Sequence, residues 1–131
     1  MNKCFLIGRL GADPRVDTVT VDGGNGTSKV ANLNLAVDFR FKKDADGKPL
    51  AQWFDVSAWG KTAEFCEKYM RKGCSIAVVG EIDSPNCWTD NTNNARARCR
   101  VRADEVKMVI WPKVEENPAP SDSGKDEEIP F

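Results

Sequence analysis

Trp53-Phe54-Asp55-Val56-Ser57-Ala58-Trp59 is the stretch whose reading decides the fold. Its side chains alternate in character, the period of a strand with one face on a core. Phe54, Val56 and Ala58 fall on one side, a plain apolar set. Trp53, Asp55, Ser57 and Trp59 fall on the other. A half-buried strand turns its polar residues to water. This one turns two large flat rings there as well. A single ring in such a place closes the edge of a core or fills a contact between chains. Two rings on one polar face offer a stacking surface, and the π-faces of nucleic-acid bases suit it.

The flanking segments supply companion strands. Cys4-Phe5-Leu6-Ile7 reads as a first strand, ended by Gly8, Gly11 and Asp13-Pro14. Residues 11–29 read as a long connection with a hairpin tip at Gly23-Gly24-Asn25-Gly26. That tip lacks the G-x-x-x-x-G-K-[ST] spacing of a phosphate loop. Val30 to Phe41 reads as the second strand, with Ala31, Leu33, Leu35, Val37 and Phe39 toward the core. Asn32, Asn34, Asp38 and Arg40 then face water. Strict alternation puts Phe41 on the core side; only the strand end or a bulge brings it to the wet side. Residues 42–49 form a charged turn. Its Asp44-x-Asp46-Gly47 has the glycine too early for a calcium loop.

Beyond Trp59 the sequence predicts a helix from about Ala63 to Lys72, capped by Thr62 and stopped by Gly73. Ala63, Cys66, Tyr69 and Met70 form its apolar stripe, so Tyr69 is assigned to packing. Ser75 to Asp83 reads as the fourth strand. Trp88 follows, next to the turn Asp90-Asn91-Thr92-Asn93-Asn94.

The fifth strand carries Arg96, Arg98, Arg100 and Arg102 at every second position. Four like charges about 7 Å apart repel one another. A row of phosphates is one compensating partner. Acids on neighbouring strands, such as Glu81, Asp83 or Asp38, are the other. Three strands, a helix and two strands within residues 1–110 give an all-β expectation. It is a five-stranded OB-fold barrel with one helix between strands 3 and 4.

Composition narrows the function. The chain has 131 residues, with 40% hydrophobic and 30% charged, as in soluble globular proteins. No run of about 18 apolar residues exists to span a membrane. Five cysteines, no C-x-x-C pair and no histidine leave no zinc spacing, so the cysteines read as reduced residues of a cytosolic protein. Residues 1–110 hold 17 Lys+Arg against 14 Asp+Glu, and residues 111–131 hold 2 against 6. A mildly basic body with an acidic tail is one pattern of a nucleic-acid binder with an interaction tail.

That tail, residues 111–131, reads as a short disordered linker ending in Asp126, Glu127, Glu128, Ile129, Pro130 and Phe131. Pro130 limits the chain's freedom. Phe131 and its α-carboxylate form two handles for a basic-rimmed apolar pocket on a partner.

Taken together, the chain resembles the bacterial single-stranded DNA-binding proteins and their phage and plasmid relatives. The residues that carry the likeness are Asn2-Lys3, Leu6-Ile7-Gly8-x-Leu10-Gly11-x-Asp13-Pro14 and Val30-Ala31-Asn32. They continue through Trp53-x5-Trp59-Gly60-Lys61, Tyr69-x-x-Lys72-Gly73, Gly80, Trp88-x-Asp90 and Ile129-Pro130-Phe131. The resemblance implies an OB-fold homotetramer, with a homodimer as the alternative. Such a protein wraps single-stranded DNA in the cytoplasm, with the nucleoid, and recruits replication, recombination and repair proteins through its tip. It places the base-stacking aromatics at Phe41, Trp53, Trp59 and Trp88, and so supplies Phe41. Lys3, Arg9, Lys61, Arg96 and Arg98, beside the aromatics, are the expected phosphate contacts. Phe41 and Trp59 are aromatic swaps within the family pattern. Residues 83–86 lack the basic residues expected before Trp88, a gap the arginine row fills. No catalytic residue, metal or cofactor is expected. The rival in the binding class is an RNA-binding OB protein of cold-shock or translational type. A nuclease would need a carboxylate cluster, and Asp38 and Asp55 have no third acid or histidine to complete one.

Overall fold

In a computed structural model that describes residues 1–24 and 26–110, the chain forms six strands and one helix. They are β1 (Cys4–Leu10), β2 (Arg15–Val21), β3 (Gly26–Lys43), β4 (Pro49–Trp59), α1 (Gly60–Tyr69), β5 (Ser75–Thr89) and β6 (Ala95–Ile110). The tip at residues 126–131 and its linker lie outside the described residues. The five strands expected from the sequence are present, and the helix follows the third of them.

The sheet order is β1-β5-β6-β4-β3-β2, and β1 also pairs with β3 through Arg9 and Leu10. The pairings therefore run from β1 around to β3 and back to β1, with β2 attached outside β3. All are antiparallel except β4–β6.

The sixth strand corrects the reading of residues 11–29 as a connection. Arg15–Val21 pairs along its whole length with residues 26–32 of β3. Val16, Val19 and Val21 lie half-buried between exposed Asp17, Thr18 and Thr20. β-Branched side chains suit such a half-buried pleated surface. Pro14 before them and the glycines after them read as a loop only when Val16 to Val21 is overlooked.

The core confirms the period-2 pattern. Leu33, Leu35, Val56, Val78, Val101 and Ile76 are fully buried, together with Cys66 and Met70 from the helix side. Burial out of water pushes the Cys66 thiol up to about 11, so it packs as a small hydrophobe. Ala63, Cys66 and Met70 seat α1 against this core, whereas Tyr69 stays exposed with its ring 5.1 Å from Phe65.

The helix begins earlier than expected. Gly60 takes φ 61, a left-handed turn that carries the chain straight from β4 into α1. Trp59 is the N-cap, with no side-chain cap bond, and Thr62 sits inside the first turn. At the other end Leu10 and Gly73 tie β1 to the segment after the helix, the Gly73 N–H donating to the Leu10 carbonyl at 2.8 Å. Among the described residues, no helix is long and apolar enough to cross a membrane.

Candidate nucleic-acid interface

The outward side of β4 becomes the centre of a broad polar face. Its neighbours follow from the register. Asn32 lies opposite Ser57, Asn34 opposite Asp55, and Ala36 opposite Trp53. On the other side Arg100 lies beside Asp55 and Arg102 beside Ser57. β5 adds Glu81 opposite Arg102, Asp83 opposite Arg100, Asn86 opposite Arg98 and Trp88 opposite Arg96. Strands that read as separate alternations thus contribute to one surface, β3 and β4 over the buried core and β5 and β6 from an arm that extends past it, where Ile82, Cys87, Ala97 and Cys99 are exposed as well.

The rings stand on that surface and are open to solvent. Trp53 is 40% exposed, Trp59 37% and Trp88 43%, while Phe41 is 84% exposed. The β3–β4 register slips between Asp38 and Lys43, so strict alternation does not carry through to Phe41. Trp88, read from the sequence as lying past the fourth strand, is carried on β5 itself, which continues to Thr89.

Three depressions line the face and share residues. Trp53 and Trp88 border the first, with Arg96 and Arg98. Trp59 borders the second, with Arg100, Arg102, Asp55 and Asn32. Arg15, Asn34, Asp55, Arg98 and Arg100 line the third, which shares Arg98 with the first and Asn32, Asp55 and Arg100 with the second. The result is a groove that passes from Trp88 and Trp53 to Trp59 along the arginine row.

The guanidiniums are already engaged. Arg96 Nε donates to Asp90 at 2.8 Å, Arg98 Nη1 to Asp55 at 3.1 Å and Arg100 Nη2 to Asp83 at 3.3 Å. The acid-pairing alternative therefore holds for three of the four, with Asp83 as one of the acids expected. Asp38 instead meets Arg9, at 3.8 Å. Two arginines also sit over rings: Arg98 is 6.0 Å from the Trp88 centroid and Arg102 is 5.7 Å from that of Trp59.

Asp90 is the most strongly held of these acids. Its carboxylate accepts from Arg96, from the Asn94 N–H and from the Thr92 hydroxyl and N–H. The Arg96 bond first, then those of the turn, hold its carboxyl down at about 2. Asp83 is also held below the usual carboxylate range, first by the Ser84 N–H and further by Arg100.

Of the expected phosphate contacts, Arg96 and Arg98 line the groove. Arg9 lies in the cross-strand row of Ala36 and Trp53, at its β1 edge. Lys61 is exposed in the first turn of α1, two residues beyond Trp59. Lys3 lies away from these depressions, paired with Asp104 at 3.0 Å. Phe41 also stands apart from them, out on the β3–β4 arm.

The contacts expected from the sequence left out four contributors. Arg100 and Arg102 were read with Arg96 and Arg98 as one row that phosphates could compensate, but were not named among the expected phosphate contacts. Arg15 was lost with the strand that carries it. Gly11 gives no local signal at all. A Cβ built on it would fall 2.5 Å from the edge of the Trp53 ring, so a larger residue there would displace that ring.

Comparison with known proteins gives the chain's family. Residues 1–109 match the model of the single-strand binding protein family. A Clostridium tetani single-stranded DNA-binding protein is 40% identical over 111 residues, covering 85% of this chain and 72% of that one. Single-stranded DNA-binding protein 2 of Clostridium acetobutylicum is 37% identical over 113 residues, covering 86% and 80%. Single-stranded DNA-binding protein 1 of Synechocystis is 34% identical over 110 residues, covering 83% and 84%. Such relatives fit a binding protein and not an enzyme. With its exposed rings beside an arginine row, and matched over nearly all its described length, the chain belongs to the single-strand binding protein family.

Proposed function

We propose that this protein binds single-stranded DNA without strong sequence preference. Bases stack on Trp53, Trp59, Trp88 and Phe41, and the backbone is tracked by Lys3, Arg9, Lys61, Arg96 and Arg98, joined by Arg100 and Arg102. The observation that carries the reading is the set of three uncovered tryptophans on one face with four arginines between them. Every base has a π-face, so stacking tolerates sequence, and each stacked base contributes about 1–3 kcal/mol. The names of the relatives supply the nucleic acid.

Two further roles accompany binding. The terminal Asp126-Glu127-Glu128-Ile129-Pro130-Phe131 recruits replication, recombination and repair proteins, its apolar end anchoring and its acids steering. Residues 111–125 serve it as a linker to the domain formed by residues 1–110. The protein also assembles with copies of itself, as a tetramer in the cytoplasm. Phe5 and Ile7, large apolar residues exposed on β1, support a surface of that kind.

Titration with oligo-dT, followed by tryptophan fluorescence, tests the binding. Quenching that saturates is expected, and Trp53→Ala weakens affinity by about 1–3 kcal/mol. Unchanged fluorescence through the titration would remove the rings from the site. Deleting Ile129-Pro130-Phe131 is expected to abolish partner capture and leave oligo-dT affinity intact; a collapse of DNA binding would refute that division.

A further inference from the structure

We propose that Asp55 and Asp83 are resident counter-ions of the groove, occupying the guanidiniums that phosphates would take, and that they set how steeply binding responds to salt. The inference rests on the single-stranded DNA reading above.

The geometry separates these two acids from the third. Asp90 is locked into its turn by backbone and hydroxyl donors as well as by Arg96. Asp55 has one hydrogen-bond partner for its carboxylate among the described residues, Arg98. Asp83 has Arg100 and the N–H of its own neighbour Ser84. The Arg98–Asp55 side chains are 32% and 31% exposed and the Arg100–Asp83 side chains 44% and 43%. Both pairs lie within the groove, between the ring sites. A nucleic-acid phosphate can therefore reach either guanidinium without any rearrangement of the backbone.

Carboxylate and phosphate oxygens present the same acceptor to a guanidinium. The acids relieve the repulsion within the arginine row. When a phosphate takes Arg98 or Arg100, the abandoned carboxylate draws a cation from solution. That uptake cancels part of the cation release from the DNA. Each phosphate neutralised on a single strand adds about 0.7 to the slope of log affinity against log salt. The wild-type slope is accordingly shallower than its arginine contacts alone would give. Arg102, set over Trp59, has no ion pair among the described residues and contributes its full share.

The test measures oligo-dT affinity from about 50 to 200 mM salt for wild type, Asp55→Asn, Asp83→Asn and the double variant. Each single variant is expected to bind about two- to fivefold tighter at the low end. Each also steepens the slope by about 0.7, and the double variant by about 1.4. Glu67→Gln, which removes the Lys29 pair between β3 and α1 at 2.8 Å, leaves the slope unchanged. An unchanged slope in both aspartate variants overturns the proposal. So does weaker binding, which would make the carboxylates positioning groups for the guanidiniums. Asp83, in the more exposed pair, keeps the test open if Asp55→Asn does not fold. If wild type does not bind oligo-dT at all, the single-stranded DNA reading itself has failed, before any variant is compared.

Discussion

The β3–β4 and β5–β6 arms end in the same turn. In the first, Asp44 Oδ1 accepts from the N–H groups of Asp46 and Lys48, at 2.8 and 3.0 Å. In the second, Asp90 Oδ1 accepts from those of Thr92 and Asn94, both at 2.9 Å. The fourth turn residue is left-handed in both, Gly47 at φ 83 and Asn93 at φ 65. The arms differ in what holds them beyond the turn. Asp90 also takes Arg96 of the returning strand, so the turn and the β6 arginine row form one unit beside Trp88. No such clamp joins Asp44 to a strand among the described residues. The ladder behind it slips between Asp38 and Lys43, and Phe41 is 84% exposed, with the Arg40 guanidinium 5.1 Å from its ring. The same turn thus supports a fixed platform in one arm and a loosely backed ring in the other. Stacking rewards a ring whose position is fixed before the ligand arrives, because less freedom is lost on binding.

The largest expected effect tests that contrast directly. Trp88→Ala is expected to cost about 2–3 kcal/mol of oligo-dT affinity, and Phe41→Ala about 1 kcal/mol, the low end of the range for a stacked base. Fluorescence titration measures both, since Trp53 and Trp59 remain as reporters. Equal losses would show that the clamp on the β5–β6 arm makes no difference to binding.

A smaller effect is expected on stability, and it carries a pH signature. Asp90 has its carboxyl pushed down to about 2, below the ordinary value near 4 in an unfolded chain. A depressed carboxylate stabilises the fold fully above the unfolded value and loses that contribution as pH falls through the folded one. The melting temperature of wild type should therefore exceed that of Asp90→Asn by a constant margin above about pH 5. The margin should shrink between about pH 4 and pH 2. Asp44→Asn keeps an oxygen for both N–H donors and has no guanidinium to lose, so its melting temperature should fall less. A larger loss in Asp44→Asn would reverse the ranking of the two arms.

Much of this was legible one strand at a time. The alternation in Trp53 to Trp59 gave the face and its rings, and that in Arg96 to Arg102 gave the charged row. These are local periods, which survive in a sequence because each residue reports its own burial. What joins two strands was not legible. Arg98 meets Asp55, 43 positions away, because β4 and β6 run parallel in one particular register. The sequence offered Glu81, Asp83 and Asp38 as equally reasonable acids, and only Asp83 meets an arginine of the row. Gly11 is a glycine for the sake of a ring 42 residues later, and no local pattern says so. The helix boundary failed for a different reason. Thr62 is a good cap by type, but the helix starts two residues earlier, at the left-handed Gly60, with no side-chain cap bond.

The smallest expected effect asks whether the two turns are interchangeable. Asn93 sits at the position that Gly47 fills in the other arm, and asparagine is among the few side chains that tolerate a left-handed backbone. Asn93→Gly removes whatever strain its Cβ causes there, and it also frees the unfolded chain, so the two changes oppose each other. The net shift in unfolding free energy should stay within about 1 kcal/mol, read from urea melts. Oligo-dT affinity should not move, because Asp90 keeps both its N–H donors and Arg96. Asn93→Val is the counterpart, since a β-branched residue at positive φ adds about 1–2 kcal/mol of backbone strain. If Asn93→Gly weakened binding while leaving the melt unchanged, the asparagine side chain itself would be a ligand contact. The β5–β6 turn would then differ from its twin in function as well as in anchorage.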